Sequence, residues 1–137
     1  MNWTGKRVLV TGAGGFIGSH LTEALVERGA KVRAFVHYHS DSSWGWLEQS
    51  PVRDDVEVVQ GDIRAYDSVA LALEDQEIIF HLAALVSVPY SYLTPQDYLT
   101  TNAVGSLNVF QAALRAGVEK MVYQSTSEVY GTAQRVP

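Results

Sequence analysis

The chain has 137 residues, enough for one domain with a buried core, and its 47% hydrophobic content is typical of a globular protein. A net charge of −5 without any basic run argues against nucleic acid or an anionic membrane as a partner. Because cysteine is absent, disulfides, thiolate nucleophiles and cysteine metal sites are excluded. The sequence shows neither a signal peptide nor an apolar run long enough to span a bilayer, so we expect a cytoplasmic protein.

Strand and helix patterns alternate along the chain. The first strand is predicted over residues 7–11, and the first helix is predicted over 16–28, where Gly29 ends it. That helix is predicted to bury Ile17, Leu21 and Leu25. Further strands are predicted over 31–37, 56–60, 77–82 and 119–124, with a short helix over 67–73.

A long helix is predicted between Thr94 and Gly117. Thr94 suits the N-cap, Pro95 suits the first helical position, and Asp97 places an acid in the first turn. Apolar residues recur at helical spacing, which predicts one face that packs on the core: Leu99, Ala103, Leu107, Phe110 and Leu114.

Near-continuous apolar strands that alternate with helices imply an α/β fold, a doubly wound parallel sheet of the Rossmann type, as one domain over residues 1–137. Right-handed crossovers give the strand order 3-2-1-4-5. Ligands of such sheets bind beyond the carboxyl ends of the strands. All these strand ends carry small or polar residues, in segments 12–15, 37–43, 61–63, 83–84 and 125–128.

The segment TGAGGFIGSHL joins the first strand directly to the first helix. Gly12 is predicted to make a tight turn, Gly15 to let the backbone approach a ligand, and Gly18 to let the helix press against its strand. Backbone N–H groups at a helix N-terminus, together with the helix dipole, favour a phosphate or pyrophosphate. This junction therefore predicts a dinucleotide-binding turn.

The whole chain resembles the extended short-chain dehydrogenase/reductase family through TGAGGFIGSHL, GDI (61–63), HLAA (81–84), Asn102 and STSEVYG (125–131). Within that family it is similar to the nucleotide-sugar epimerases and dehydratases. STSEVYG narrows the resemblance to nucleotide-sugar 4,6-dehydratases, with decarboxylases close by. The segments HYHSDSSWGWL, VPYSY and STSEVYGTAQ are similar to bacterial dehydratases that act on nucleotide-linked N-acetylglucosamine in nonulosonic acid pathways.

The resemblance implies an NAD(P) cofactor and a nucleotide-sugar substrate. It implies that the glycine turn holds the pyrophosphate, and that Asp62 accepts from the adenine amino group while Ile63 stacks beside it. Ser87, Pro89 and Tyr90 lie where relatives contact the sugar. The implied cofactor-binding residues are Gly12, Gly15, Phe16, Ile17, His37, Asp62, Ile63, Leu82, Ala83, Ala84, Asn102 and Ser125.

The resemblance also implies the catalytic residues Thr126, Ser127 and Glu128. The family oxidises C4 of the sugar by hydride transfer, which acidifies the C5 proton. Thr126 would hydrogen-bond the hydroxyl being oxidised, and Glu128 would remove the C5 proton. Water then leaves from C6, where the hydride returns. Some relatives have aspartate in place of Ser127 to protonate the leaving hydroxyl, and here Glu128 or a water would do so.

The family's proton-transfer motif YxxxK is absent from the chain. We therefore expect the N-terminal, cofactor-binding part of a larger enzyme, without the C-terminal substrate-binding region. By itself it should be inactive and bind NAD(P) weakly, and the fifth strand should form an uncovered apolar edge at Met121, Val122 and Tyr123. The parent enzyme is expected to be a homodimer. A nucleotide-sugar epimerase or decarboxylase and a non-catalytic NAD(P)-binding protein are the alternatives.

The second strand ends in Phe35-Val36-His37, without the carboxylate that usually binds the ribose in NAD enzymes and without an arginine that would indicate NADP. His37 could do part of the task of either residue, at the ribose of NAD or at the 2′-phosphate of NADP. The resemblance favours NAD and leaves NADP as an alternative. His37 and His39 have no third ligand, so no metal site is predicted. Trp44 and Trp46 either pack or make a dimer contact, or else flank the adenosine.

Overall fold

Five parallel strands form one sheet in the order β3-β2-β1-β4-β5 in the computed structural model, which describes residues 2–132 and 134–135. The predicted doubly wound fold and strand order are confirmed, and each strand end lies within one residue of its prediction. The strands are β1 (Arg7–Thr11), β2 (Lys31–His37), β3 (Glu57–Gly61), β4 (Ile78–His81) and β5 (Lys120–Tyr123).

The central strand β1 contributes to the core on both faces of the sheet. Val8, Leu9 and Val10 are fully buried. Because successive side chains of a strand point to opposite faces, Val8 and Val10 enter one core cluster and Leu9 enters the other. The first face is covered by α1 (Phe16–Glu27). The second is covered by α2 (Tyr66–Ala72) and α5 (Ser106–Ala116).

The long helix predicted before β5 consists of three consecutive pieces. These are α4 (Pro95–Tyr98), a π-helical segment (Leu99–Gly105) and α5. Pro95 occupies the first turn as predicted, but the Thr94 side chain makes no capping hydrogen bond. Gly117 ends α5 with a left-handed φ of 69°, as its predicted task requires.

Most of the apolar face predicted for this helix points away from the core, whereas the Phe110 ring of this face contacts His81 and Tyr123. Its residues are exposed: Leu99, Ala103, Leu107, Phe110 and Leu114. The sheet-facing side carries Gly105, Ser106, Val109, Ala112 and Ala113. Small residues let the helix approach closely, since a Cβ at Gly105 would stand 2.8 Å from Cδ1 of Ile63. The periodicity therefore identified a real face and assigned it to the wrong side.

The prediction that Ile17 is buried is also wrong. Its side chain is 64% exposed, whereas Leu25, two turns further along α1, is 3% exposed. Ile17 lies in the first turn of α1, next to the glycine turn, and not on the part of the helix that packs on the sheet. A short helix that the sequence did not predict, α3 (Val88–Ser91), lies in the loop after β4.

The strand β5 lies at the edge of the sheet, as expected. Val122 and Tyr123 are 43% and 50% exposed, and Met121 is half-buried. The apolar edge predicted for this strand is therefore present. Among the helices of the described residues, none combines the length and apolar character needed to cross a membrane.

Candidate cofactor cleft

The carboxyl ends of the strands lie along one edge of the sheet. Thr11 of β1 stands opposite Phe35 of β2 on one side and opposite His81 of β4 on the other. His81 stands opposite Tyr123 of β5 in turn. The loops that carry the predicted cofactor and catalytic residues therefore leave the sheet at the same edge.

The glycine turn after β1 has the geometry that its sequence predicts. Gly12 has a left-handed φ of 71°, and its N–H donates to the Phe35 carbonyl oxygen at 3.1 Å. A Cβ on Gly12 would stand 2.9 Å from the Ala83 backbone nitrogen. A Cβ on Gly18 would collide with the Gly12 carbonyl oxygen, because the first turn of α1 presses on the turn. Glycine is thus required at both positions by close backbone approach.

The first turn of α1 offers free backbone donors. Gly15 N–H donates to the Gly12 carbonyl oxygen at 3.1 Å, and Ser19 N–H donates to the Gly15 carbonyl oxygen at 2.9 Å. The amides of Phe16 and Ile17 enter no hydrogen bond among the described residues. Free amides at the positive end of a helix form a site that suits a phosphate group.

The loop after β2 is docked on this turn. Trp46 N–H donates to the Gly14 carbonyl oxygen at 3.0 Å, and a Cβ at Gly14 would stand 2.7 Å from the Trp44 carbonyl oxygen. The Trp46 ring meets Phe16 edge to face at 5.6 Å and is 58% exposed. Trp44 instead packs against the core. The two tryptophans, for which the sequence predicts the same alternatives, therefore have different surroundings.

A carboxylate stands beside His37 at the ends of β2 and β3. Asp62 Oδ2 lies 3.7 Å from His37 Nε2, and Asp62 accepts from Arg64 Nε at 2.9 Å and Arg64 Nη2 at 2.6 Å. These hydrogen bonds from Arg64 are the main reason why the pKa of Asp62 lies below its usual value. Asp62 is thus an ionised acceptor, although Arg64 occupies much of its capacity.

Ile63 lies in the core. Its side chain is 5% exposed and packs in the cluster with Leu9 and Val109. So little exposed surface argues against the stacking contact with adenine that the family resemblance implied for this side chain. Asn108 Nδ2 donates to the Ile63 carbonyl oxygen at 3.0 Å and so fixes the loop after β3.

Two residues that the sequence reasoning missed hold the loop after β4. Thr11 Oγ1 accepts from the backbone amides of Leu82 and Ala83, at 3.2 Å in both cases. Thr11 Oγ1 also lies 2.6 Å from His81 Nδ1, and His81 Nε2 lies 3.0 Å from Ser106 Oγ. His81 is fully buried, and burial lowers its pKa to about 4.

Asn102 holds the same loop from the π-helical segment. Its Oδ1 accepts from Leu85 N–H at 2.8 Å, and its Nδ2 donates to the Leu85 carbonyl oxygen at 2.9 Å. Ala83 and Leu82 before this point are half-buried, and Ala84 is exposed. Asn102 thereby orders the backbone next to Leu82, Ala83 and Ala84, which the resemblance assigns to cofactor binding.

The predicted catalytic residues follow β5 on the same edge. Thr126 caps a 3₁₀ turn over Ser127–Tyr130, and its hydroxyl accepts from Glu128 N–H at 3.3 Å. Ser125, Thr126, Ser127 and Glu128 are all exposed. The structure therefore presents these side chains at the surface of the loop, next to the loop of β4.

The predicted substrate residues lie around α3. Pro89 and Tyr90 belong to this helix, and Ser87 precedes it; all three are exposed. Tyr98 Oη donates to the Ser87 carbonyl oxygen at 2.6 Å. No cluster of three or more metal-ligating side chains occurs in the described part of the chain.

A family model described as GDP-mannose 4,6 dehydratase matches residues 9–137. The chain belongs to this family. It is similar to the UDP-glucose 4-epimerase of Azospirillum brasilense, with 38% identity over 133 residues. It is also similar to a UDP-N-acetyl-alpha-D-glucosaminuronate decarboxylase of Bacillus cytotoxicus, with 35% identity over 126 residues. These matches cover 96% and 92% of this chain but 36% and 38% of the two relatives.

The fold of this family member has close solved counterparts. The UDP-glucose-4-epimerase from Stenotrophomonas maltophila, solved with bound NAD and formylated UDP-arabinopyranose, superposes with a TM-score of 0.85 at 32% identity. The superposition covers 96% of this chain and 40% of that chain. The resemblance to the short-chain dehydrogenase/reductase epimerases and dehydratases is therefore confirmed, and the chain spans about two fifths of the solved relative's length.

Proposed function

We propose that this chain is the NAD-binding part of an enzyme that modifies nucleotide-linked sugars. The observation that carries this proposal is the glycine turn at the N-terminus of α1, which lies against the loop after β4. The free amides of Phe16 and Ile17 would bind a phosphate group of the cofactor, and the Ala83 backbone comes within 2.9 Å of where a Gly12 Cβ would be. The NAD in the solved Stenotrophomonas maltophila relative supports the same ligand.

The assignment as one part of a larger enzyme rests on the lengths of the relatives. The chain corresponds to 36% of the Azospirillum epimerase and 40% of the solved Stenotrophomonas epimerase. A homodimer of the whole enzyme is part of the proposal, supported by the exposed apolar face of α5 at Leu107, Phe110 and Leu114. NAD is preferred to NADP because the solved epimerases of Stenotrophomonas maltophila and Bifidobacterium longum contain NAD.

The reaction we propose is 4,6-dehydration of the sugar. NAD, when bound, would supply hydride acceptance at C4 of the sugar and hydride return at C6. The Thr126 hydroxyl would hydrogen-bond the C4 hydroxyl. The proton of the C4 hydroxyl would pass to a base that the whole enzyme supplies, since this chain has no YxxxK motif. The Glu128 carboxylate would remove the proton at C5, which becomes acidic beside the oxidised C4, and would give a proton to the hydroxyl that leaves C6 as water. A solvent-derived proton would enter C5 as the hydride returns to C6. The exposed position of both side chains on the β5 loop is compatible with these tasks.

A second candidate is epimerisation or decarboxylation of a nucleotide sugar. The names of the Azospirillum and Bacillus cytotoxicus relatives favour it. Simple epimerisation at C4 needs no base for C5, so Glu128 would then have no chemical task. Decarboxylation requires a uronic acid substrate.

Binding is tested first, by titrating NAD into the isotopically labelled chain and following backbone amide resonances. We expect the amides of Gly15, Phe16 and Ile17 to shift, with weak, millimolar affinity in the chain alone. Gly5 and Gly117, which lie at the opposite end of the sheet, serve as internal controls and should not move. If the amide resonances of the first turn of α1 do not change up to the highest soluble concentration of NAD, the binding proposal is refuted.

The reaction is tested on the whole enzyme with NAD and a nucleotide-linked N-acetylglucosamine. A dehydratase gives a product that has lost the mass of one water and has gained solvent deuterium at C5. An epimerase gives an unchanged mass, and a decarboxylase acts only on the uronic acid. Glu128→Gln should abolish water loss while NAD still binds, and the exposed Glu27→Gln on α1 is the matched control.

A further inference from the structure

We propose that His81 is a positioning residue of the cofactor cleft, a buried imidazole in one fixed tautomer that orients the Thr11 hydroxyl and so anchors the backbone of Leu82 and Ala83. We call Ser106, His81 and Thr11 the His81 relay. The inference deepens the proposed NAD function and rests on it for its effect on cofactor binding. Its effect on the backbone can be tested without any cofactor.

The tautomer follows from counting donors around Thr11. A hydroxyl has one hydrogen and two lone pairs. Ala83 N–H donates to Thr11 Oγ1 at 3.2 Å, as does Leu82 N–H, which is shared with the Thr11 carbonyl oxygen at 3.3 Å. The hydroxyl hydrogen therefore points to His81 Nδ1, its remaining neighbour at 2.6 Å. Nδ1 must be an acceptor, so the ring proton lies on Nε2.

The other side of the ring agrees with this assignment. His81 Nε2 lies 3.0 Å from Ser106 Oγ, which can accept its proton. Had the proton been on Nδ1, Thr11 Oγ1 would face three donors with two lone pairs, and its own hydrogen would have no acceptor. The hydrogen bonds therefore run in one direction: Thr11 Oγ1 donates to His81 Nδ1, and His81 Nε2 donates to Ser106 Oγ.

The anchored backbone borders the glycine turn of the proposed cofactor site. The backbone of Leu82 and Ala83 lies against the glycine turn, within 3.0 Å of the position that a Gly12 Cβ would take. If His81 carried a proton on Nδ1, the Thr11 hydroxyl would have to rotate and release one of the two amides. Through the His81 relay, Ser106 of α5 therefore helps to set the distance between the glycine turn and the loop after β4.

The surroundings of the ring keep it neutral. The Tyr123 ring stacks on it at 5.4 Å, and the Phe110 ring meets its edge at 6.2 Å. Within the described residues no charged side chain pairs with His81, and Tyr123 is the one titratable group that packs on it. Burial accordingly holds its pKa at about 4, so the relay stays assembled at neutral pH.

The tautomer is measured directly from the ring nitrogen resonances of His81 in the labelled chain. At neutral pH we expect a protonated Nε2 and an unprotonated Nδ1. A proton on Nδ1, a charged ring, or rapid exchange between tautomers overturns the proposal.

The anchoring is measured with Thr11→Val, Thr11→Ser and the matched control Thr22→Val. Thr22 is fully buried in α1, and its hydroxyl has no hydrogen-bond partner among the described residues. Thr11→Val should raise hydrogen exchange at the Leu82 and Ala83 amides about tenfold or more, as expected for the loss of one hydrogen bond. Thr11→Ser should restore protection, and Thr22→Val should leave it unchanged.

His81 itself is tested with His81→Asn and His81→Leu. The Asn Oδ1 can take the place of Nδ1 as acceptor for Thr11, so protection of Leu82 and Ala83 should survive in His81→Asn and be lost in His81→Leu. Equal exchange in the two variants, or in Thr11→Val and Thr22→Val, overturns the proposal. NAD affinity should fall about tenfold in Thr11→Val and recover in Thr11→Ser. If the wild-type chain fails to bind NAD, the proposed function is refuted. The hydrogen exchange of the Leu82 and Ala83 amides and the tautomer of His81 still decide this inference in that case.

Discussion

Gly12 and Gly117 offer a matched pair of substitutions that isolates the close approach inside the cleft. Both have left-handed backbones, with φ of 71° and 69°. A Cβ at Gly117 would meet nothing within 4 Å, whereas a Cβ at Gly12 would stand 2.9 Å from the Ala83 nitrogen and 3.0 Å from the Leu82 carbonyl carbon. Alanine therefore incurs the same conformational penalty at both positions. At Gly12 it also collides with the backbone of the loop after β4.

The expected losses follow from these two contributions. A left-handed backbone costs a residue with a Cβ about 1–2 kcal/mol, so Gly117→Ala should lower the free energy of unfolding by that amount. Gly12→Ala adds a further ~1–3 kcal/mol, since the colliding atoms belong to the backbone and no rotamer change relieves them. A combined loss of about 2–5 kcal/mol is a large part of the stability of an ordinary domain.

Urea unfolding of the three proteins measures the difference at constant m-value. Gly12→Ala should also weaken NAD binding, whereas Gly117→Ala, at the opposite end of the sheet, should not. Equal losses of stability in the two variants would show that the glycine turn and the loop after β4 are not in the contact described. Unchanged NAD affinity in Gly12→Ala would separate the turn from the cofactor site.

Three further predictions concern pH, a loop anchor and the outer face of α5. Burial lowers the pKa of His81 from its ordinary 6.5 to about 4, so the unfolded chain binds this proton more readily and the folded state loses about 3 kcal/mol as the pH falls through this window. Urea unfolding from neutral pH down to about pH 4 should show this loss in the wild type and a smaller one in His81→Asn. Asn102→Ala removes both hydrogen bonds to Leu85 and should cost about 1–3 kcal/mol, with faster hydrogen exchange at the Leu85 amide; full retention of protection would contradict the anchoring. Leu114→Lys replaces a side chain that is 83% exposed, so stability should change by less than about 0.5 kcal/mol while self-association, measured by sedimentation, decreases; a folded but equally associated variant would remove α5 from the proposed dimer contact.

The sheet could be predicted from the sequence because its signals are local. A continuous apolar run such as Val8–Val10 fills both faces of a buried parallel strand, and glycine at positions 12, 15 and 18 marks the change from strand to helix. The order of the strands follows from the general preference of parallel crossovers for the right hand. The family resemblance also rests on short motifs, and the matching family model confirms it, while the left-handed φ of Gly12 confirms the predicted turn.

The partner of each helix face could not be read from periodicity. The long helix has two faces at helical spacing, one of large apolar residues and one of small residues, and the small face lies on the sheet. Hydrophobicity favours the first for the core, but a close approach of Gly105 to Ile63 requires the second. The resemblance assigns Ile63 to the adenine for a similar reason, because the sequence around Ile63 shows the end of a strand but not the helix α5 that packs over it.

The amino-acid sequence by itself determined the sheet, its order and the glycine turn, since each depends on short-range patterns of apolar and glycine residues. Only the tertiary structure decided how the cleft is held. Thr11 meets His81 across 70 positions of sequence, and His81 meets Ser106 across 25. A threonine, a histidine and a serine are ordinary in their own segments, and their hydrogen-bond directions are fixed only when three elements bury them together.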